Sequence, residues 1–298
     1  MGQLGCITWH DVEPRIVRFR DPMGFQCHLV LGDERALLVD AMGGHGNLRE
    51  AVSQVTDLPV TVVATHSHYD HVAGSRFFDA VFMHEAEVSR LGFERELAAA
   101  AHEKLVANGT FSPEEPFCLT DGSAPEIKLI SEGDEFDLGG LTVKTVELPG
   151  HTVGSLGFLV PELGVLFSGD TCTPTMCLFF PESTDVQTYR ETLAKMMTLD
   201  FEKFYTSHQD RTFHKSDLAD FDACAEFVYT DPGSEWAHGL FPQFTGRIHM
   251  YRGLDPDQDD FLAIIEKDTP EAAERAKRIR AERRAARKAR KAAASSSN

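Results

Sequence analysis

Four short apolar runs, each ending at a histidine or an aspartate, constrain the fold of this chain more than any other feature. Residues 60–66 (VTVVATH), 164–170 (GVLFSGD) and 202–208 (EKFYTSH) have the apolar and β-branched content of buried strands. A fourth run ends in VELPG and is followed by His151. Ligands usually bind where the chain leaves a sheet, so these runs predict a site at strand ends.

The other predicted elements complete an α/β pattern. Further strand-like runs cover residues 15–19, 25–31, 35–41, 80–85 and 156–160, and a hairpin is predicted over 135–148 around Gly139-Gly140. Helices are predicted over 47–54, 85–108, 185–199 and 215–229. Two sets of short strands, each followed by helices, predict an α/β fold with four layers, an αββα sandwich built from two similar halves.

Three regions are predicted along the chain. Residues 1–230 carry the four runs and form the expected catalytic domain. Residues 231–270, with the strand-like GRIHMYR, are predicted to be a C-terminal extension or lid. Residues 271–298 are Ala-rich and basic, and this tail is predicted to be disordered or helical.

The charge of the chain is unevenly distributed. The net charge is −18, and residues 271–298 hold 10 basic and 3 acidic side chains, a balance of +7 that leaves −25 for residues 1–270. So acidic a body repels phosphate backbones and disfavours nucleic acid as its partner. For the tail, a solvated extension is the favoured interpretation, and binding to RNA, DNA or an anionic surface stays open.

The location predicted from the sequence is cytoplasmic. No apolar run approaches the roughly 20 residues that span a bilayer, so no membrane partner is expected. The first residues lack the basic and apolar regions of a secretory signal. The six cysteines form no CxxC pair and are expected to be reduced. The oligomeric state stays open, with a homodimer as one alternative.

The stretch THSHYDH places three of the 13 histidines and one aspartate within seven residues. Together with the other strand ends it supplies seven candidate metal ligands: His66, His68, Asp70, His71, His151, Asp170 and His208. Imidazole and carboxylate groups are preferred ligands of zinc, iron and manganese. Seven ligands exceed what one catalytic ion with an open position needs, so they favour two ions about 3.5–4 Å apart.

The motifs THSHYDH, PGHTVGS, LFSGDT and YTSH resemble those of the metallo-β-lactamase-fold hydrolase superfamily, in order, over roughly residues 15–210. Asp40 in LLVDA is similar to the leading aspartate of that family, which supports the metal loop. The resemblance implies the metallo-β-lactamase fold and two divalent ions, zinc first, with iron or manganese as alternatives. It assigns His66, His68 and His151 to the first ion and Asp70, His71 and His208 to the second. It makes Asp170 the bridging ligand, and Asp70 and Asp170 the catalytic residues.

By the same resemblance, a metal-bridging hydroxide attacks a small carbonyl substrate: a thioester, ester, lactone or amide. The ligand set is similar to that of hydroxyacylglutathione hydrolases, whereas Thr173 stands where quorum-signal lactonases usually have tyrosine. The alternative is an oxidoreductase similar to mononuclear-iron persulfide dioxygenases, and a third hypothesis gives the function to the basic tail. Candidate pocket residues are Met176, Phe179, Phe180, Tyr229 and His238, although a core role is favoured for the first three.

Overall fold

The computed structural model describes residues 1–120, 122, 124–253 and 260–295, with side chains described up to residue 290. The strands of the first sheet are β1 Gly2–Leu4, β2 Ile7–Glu13, β3 Ile16–Arg20, β4 Gln26–Leu31, β5 Ala36–Val39, β6 Val60–Val63, β7 Ala80–Met83 and β8 Glu126–Leu129. They lie side by side in chain order. Neighbours pair antiparallel from β1 to β5 and parallel from β5 to β8.

The second sheet is formed by β9 Glu135–Asp137, β10 Thr142–Glu147, β11 Leu156–Val160 and β12 Val165–Gly169, with β14 Lys203–Thr206 and β15 Phe213–His214. Its order is β15-β14-β12-β11-β10-β9. The pair β12 and β14 is parallel, so the ends of both strands, which precede Asp170 and His208, lie at the same edge. This register places two of the four predicted strand ends side by side.

A third sheet joins the region before residue 230 to the region after it. Its strands are β13 Thr175–Leu178, β16 Ser234–Ala237, β17 Thr245–Arg252 and β18 Leu262–Glu266, in the order β13-β18-β17-β16. Strand β13 pairs parallel with β18. The predicted boundary at residue 230 therefore divides one sheet. Strand β13 precedes the boundary, and β18, which pairs with β13, follows it.

The helices are α1 Leu48–Ser53, α2 Tyr69–Val72, α3 Glu85–Val88, α4 Leu91–Ala107, α5 Val186–Thr198, α6 Leu218–Phe227 and α7 Pro270–Ser295, with 3-10 turns at Ala73–Phe77, Pro161–Leu163 and Lys215–Asp217. The side chains of Asn47 and Asp185 cap α1 and α5 by accepting from Glu50 N and Thr188 N. None of the helices in the described ranges is long and apolar enough to cross a bilayer.

Apolar contacts arrange these elements in four layers. Leu37 and Val63 of the first sheet pack with Phe158 and Phe167 of the second in one buried cluster. A second cluster joins the other face of the first sheet to α1, and a third joins the second sheet to α5 and α6. The order helix, sheet, sheet, helix confirms the predicted αββα sandwich.

The structure differs from the sequence prediction at several elements. The helix predicted over 85–108 is two helices, α3 and α4, with Ser89 and Arg90 between them. Ser89 and Gly92 are weaker helix formers than the alanines that follow, which favours a break at this point. Strand β8 is not predicted because its EIKL sequence has no apolar run. In the structure this strand is mostly exposed.

Candidate metal centre

The histidine cluster lies just after β6, where the chain turns out of the first sheet. Thr65 and His66 lie just after β6, and α2 begins at Tyr69. Asp40, just after β5, has the left-handed φ of +64° that aspartate tolerates better than most residues. Its buried carboxylate accepts hydrogen bonds from Thr65 N (2.8 Å) and Ser207 Oγ (2.8 Å). Asp40 therefore ties three strand ends together beneath the cluster.

The structure brings all seven predicted ligands together. Three groups have ligand atoms within 4.8 Å of one another: His66, His68, His151; His66, His71, Asp170; and Asp70, His71, His208. Asp170 lies between the other groups, since its Oδ2 is 3.2 Å from His208 Nε2, 3.5 Å from His71 Nε2 and 3.6 Å from His151 Nε2. The central position of Asp170 is the one that a bridging ligand requires.

The protons of two imidazoles are assigned by acceptors outside the cluster. His71 Nδ1 is 2.9 Å from Asp40 Oδ2, and His151 Nδ1 is 2.9 Å from the carbonyl oxygen of Cys177. Carboxylate and carbonyl oxygens only accept, so each Nδ1 carries the proton. The Nε2 atoms of both rings therefore face the centre, and each carries the lone pair when its ring is neutral.

The same reasoning applies to the other two histidines of the first group. Thr65 Oγ1 donates to Asp40 and so accepts from His66 Nδ1 at 3.0 Å. His68 Nε2 lies 2.8 Å from Glu182 Oε1 and donates to it, which leaves the lone pair on His68 Nδ1. When both rings are neutral, His68 Nδ1 and His151 Nε2 face each other at 2.9 Å with lone pairs on both atoms.

Facing lone pairs need a cation between them, or a proton on one of them. Within the described residues, His66 Nε2, His71 Nε2 and Asp170 Oδ1 are also buried without a hydrogen-bond partner. Buried polar atoms without partners are rare in proteins and indicate an ion or water that satisfies them. The donor set of neutral imidazoles and carboxylates fits divalent metal ions of the zinc type.

The family model of the metallo-beta-lactamase superfamily matches residues 22–208, a segment that contains all seven ligands. The chain belongs to this superfamily. The resemblance seen in the sequence motifs is therefore confirmed, and with it the fold.

Similar proteins include two curated hydrolases. Acyl-coenzyme A thioesterase MBLAC2 of Gallus gallus is 28% identical over 185 residues, which are 57% of this chain and 66% of that protein. Hydroxyacylglutathione hydrolase of Brucella ovis is 29% identical over 139 residues, 46% of this chain and 43% of that protein. The chain thus spans less than two thirds of the length of either relative.

A solved structure agrees on the architecture. A beta-lactamase domain protein from Burkholderia ambifaria is similar with a TM-score of 0.56 and 22% identity, over 74% of each chain. At this identity the similarity shows the fold alone.

The electrostatics of this superfamily site favour positive charge. Burial lowers the pKa of His66 well below its usual range and the pKa of His151 to about 4, so both rings are neutral ligands at pH 7. Burial also opposes the charge of His71, but the nearby Asp170 and Asp70 raise its pKa well above its usual range. Burial opposes ionisation of Asp170, yet His208 and His71 hold its pKa well below the usual range. The carboxylates stay ionised and attract a cation.

Sequence reasoning missed four charged residues that hold the histidine loop. They are Glu87, Arg90, Glu94 and Glu182. Glu87 accepts from Ser67 N (2.9 Å) and from Gly154 N (3.1 Å), which joins the loops that carry His68 and His151. Arg90 and Glu94 have the i, i+4 spacing of a helical ion pair, and this spacing was the available signal for these two residues.

Aromatic rings lie beside the predicted ligands on two sides of the centre. The Phe180 ring lies 4.5 Å from that of His68, and the Phe25 ring lies 5.7 Å from that of His208. Phe244, from the region after residue 230, lies 5.4 Å from Phe180. Apolar groups of a substrate can therefore contact rings on both sides of the ligands.

Of the other candidate pocket residues, His238 lies within electrostatic reach of Asp70, and the rest have other surroundings. Met176 and Phe179 are 1% and 6% exposed, so the favoured core role describes them better than a pocket wall does. His238 Nδ1 accepts from Leu240 N and shapes the turn before Phe241. Tyr229 lies beside Arg275 of α7.

Proposed function

We propose that this protein is a binuclear metal-dependent hydrolase that cleaves small thioesters. The observation that carries the proposal is the convergence of seven imidazole and carboxylate side chains on one centre, where His66 Nε2, His71 Nε2 and Asp170 Oδ1 are, among the described residues, buried without a hydrogen-bond partner. Bound cations would satisfy these atoms.

The ligand groups divide between two ions. His66, His68 and His151 would hold the first, and Asp70, His71 and His208 the second, since each trio has converging ligand atoms. Asp170 would contact both because its Oδ2 lies close to His151 on one side and to His208 on the other. Zinc suits this mixture of nitrogen and oxygen ligands, and manganese and iron are the alternatives.

When bound, two such ions lower the pKa of a shared water toward neutral, so that hydroxide is available at pH 7, and polarise a carbonyl oxygen. The residues of the chain supply orientation. Asp70 Oδ2 lies 3.5 Å from His208 Nε2 and 3.7 Å from His71 Nε2, and the side chain is 17% exposed, so its carboxylate can orient the attacking group. The rings of Phe25 and Phe180 lie against those of His208 and His68.

Two findings support a thioester rather than another carbonyl compound. The curated relatives named above are a thioesterase and a hydroxyacylglutathione hydrolase, and the products of thioester cleavage leave as a thiolate and an acid. The aromatic rings beside the ligands offer an apolar surface to the acyl portion. Thioesters, esters and lactones tested side by side against zinc-, manganese- and iron-loaded protein will rank the substrates.

The decisive experiment compares His151→Ala with His214→Ala. His214 is exposed on β15 and serves as the matched control. His151→Ala should keep the circular-dichroism spectrum, lose one of two ions per chain and lose turnover by more than about 100-fold, because a metal contributes several kcal/mol to the transition state. Full thioesterase activity in His151→Ala contradicts the proposal. One iron per chain with oxygen consumption on a persulfide would replace it with the dioxygenase alternative.

A further inference from the structure

A buried ionic cluster lies against the outer side of His68 and is made by three segments of the chain. Glu182, from the loop between β13 and α5, accepts from His68 Nε2 through Oε1 at 2.8 Å. Arg90 Nη2 lies 2.8 Å from the same Glu182 oxygen and 2.8 Å from Glu94 Oε1. Glu94 Oε2 in turn accepts from the backbone N of Tyr69, the residue after His68.

The cluster is shielded from solvent, which makes its charges effective. The side chains of Glu182 and Glu94 are 7% and 2% exposed, and that of Arg90 is 19% exposed. Hydrogen bonds between charged groups in such surroundings are stronger than neutral ones. Arg90 compensates two carboxylates at once, and this compensation lets Glu182 stay ionised beside His68.

The loop that carries Glu182 is itself held in place. The backbone oxygen of Glu182 accepts from Val153 N at 2.9 Å, and Ser183 Oγ donates to the backbone oxygen of His151 at 2.6 Å. Lys267, just after β18, donates to the backbone oxygens of Pro181 (3.0 Å) and Ser183 (2.7 Å). The position of Glu182 is thus fixed from both sides, independently of His68.

We propose that Glu182, held by Arg90, is a positioning residue that keeps the proton of His68 on Nε2, turns Nδ1 toward the centre and sets its affinity for the first metal ion. This inference rests on the metal centre of the proposed function. A histidine ligand depends on the acceptor that binds its other nitrogen, because this acceptor fixes the ring and raises the basicity of the ligand atom. His68 differs from the other members of its group because its acceptor is a full carboxylate.

The test is Glu182→Gln in the full chain, with Glu191→Gln as the control. Glu191 lies on α5 and is exposed, so its variant has the same charge change away from the cluster. Zn²⁺ is titrated against a chromophoric chelator. Glu182→Gln should bind the first ion about 10–100-fold more weakly and keep the second, because a neutral amide oxygen raises the basicity of the ligand nitrogen less than a carboxylate does and changes of this partner have such an effect at other metal sites. Glu191→Gln should match the wild type.

A second readout reports the orientation directly. In ¹⁵N-labelled, zinc-loaded wild type, His68 should carry its proton on Nε2, and a proton on Nδ1 overturns the inference. Glu182→Asp keeps the negative charge but is one methylene shorter, so it should also weaken zinc binding and serves if the Gln variant does not fold.

The outcomes separate this inference from the proposed function. Unchanged zinc affinity in folded Glu182→Gln, even with lower urea stability, overturns the positioning role and leaves the hydrolase proposal standing. If the wild type binds two ions but cleaves no thioester, the proposed substrate class is wrong. Weaker binding of the first ion by Glu182→Gln still supports the inference in that case. A wild type that binds no ion overturns both.

Discussion

Asp40 is the buried carboxylate on which the metal loop rests, and Asp40→Asn should destabilise the protein without straining its backbone. Asparagine tolerates the left-handed φ of +64° as well as aspartate does, so the variant changes charge and hydrogen bonding alone. The side chain is 0% exposed, so a group that loses its partner there is not open to bulk water.

The magnitude follows from the donors around the carboxylate. Oδ1 accepts from Thr65 N at 2.8 Å, while Oδ2 accepts from His71 Nδ1 at 2.9 Å and Ser207 Oγ at 2.8 Å. If the amide oxygen of the variant still accepts from Thr65 N, its amide nitrogen faces the donors His71 Nδ1 and Ser207 Oγ. Ser207 can rotate its hydroxyl, but His71 must lose a hydrogen bond or move its proton to Nε2. One or two unsatisfied buried groups cost about 2–4 kcal/mol in free energy of unfolding.

The assay is urea unfolding of the metal-free protein, with Asp79→Asn as the control. Asp79 is 95% exposed and pairs only with Arg49 among the contacts described for its side chain, so its variant should change stability by less than about 1 kcal/mol. The midpoint should fall for Asp40→Asn at an unchanged m value. A loss below about 1 kcal/mol, or an equal loss in the control, refutes the reasoning.

Two further perturbations test the packing and the pH response. Gly169, at the end of β12, has a φ of +53°, and a Cβ there would lie 2.6 Å from Thr65 Cβ; Gly169→Ala should therefore lose about 2–4 kcal/mol. Gly92→Ala in α4, where a Cβ meets nothing within 4 Å, should lose nothing, and equal melting of the two variants contradicts this account. His45 stacks on Phe111 with ring centroids 3.8 Å apart, and burial, with the neighbouring His102, lowers its pKa to about 4 from 6.5. The unfolded chain binds that proton first, so stability present above pH 6.5 is lost as the pH falls toward 4. His45→Phe should remove about 3 kcal/mol of this dependence in urea titrations at several pH values, and an unchanged slope argues against it.

The strand ends were predictable because local sequence determines them. Residues such as Val62 and Val63 are β-branched and buried, and an apolar run followed by a polar turn is readable without knowledge of its neighbours. The candidate ligands His66, Asp170 and His208 follow such runs directly, so a site at the strand ends could be predicted. Short exposed strands such as β8 and the break between α3 and α4 carry no comparable signal.

The residues that support the ligands were not predictable in the same way. Glu182 lies 114 positions from His68 along the chain, and Glu87 lies 67 positions from Gly154. A lone glutamate in a sequence is usually solvated, so nothing local distinguishes these two from the exposed ones. Their roles depend on which loops the sheets bring together.

The sequence alone predicted seven candidate ligands of stated type, placed them after buried strands, and predicted the layered fold that the strands and helices build. Only the tertiary structure decided which nitrogen of each imidazole faces the centre. That choice depends on acceptors such as Asp40, Cys177 O and Glu182, which come from separate segments and meet the rings only after folding. A hydrogen bond needs contact within about 3 Å, and such contacts between distant residues exist only in the packed chain.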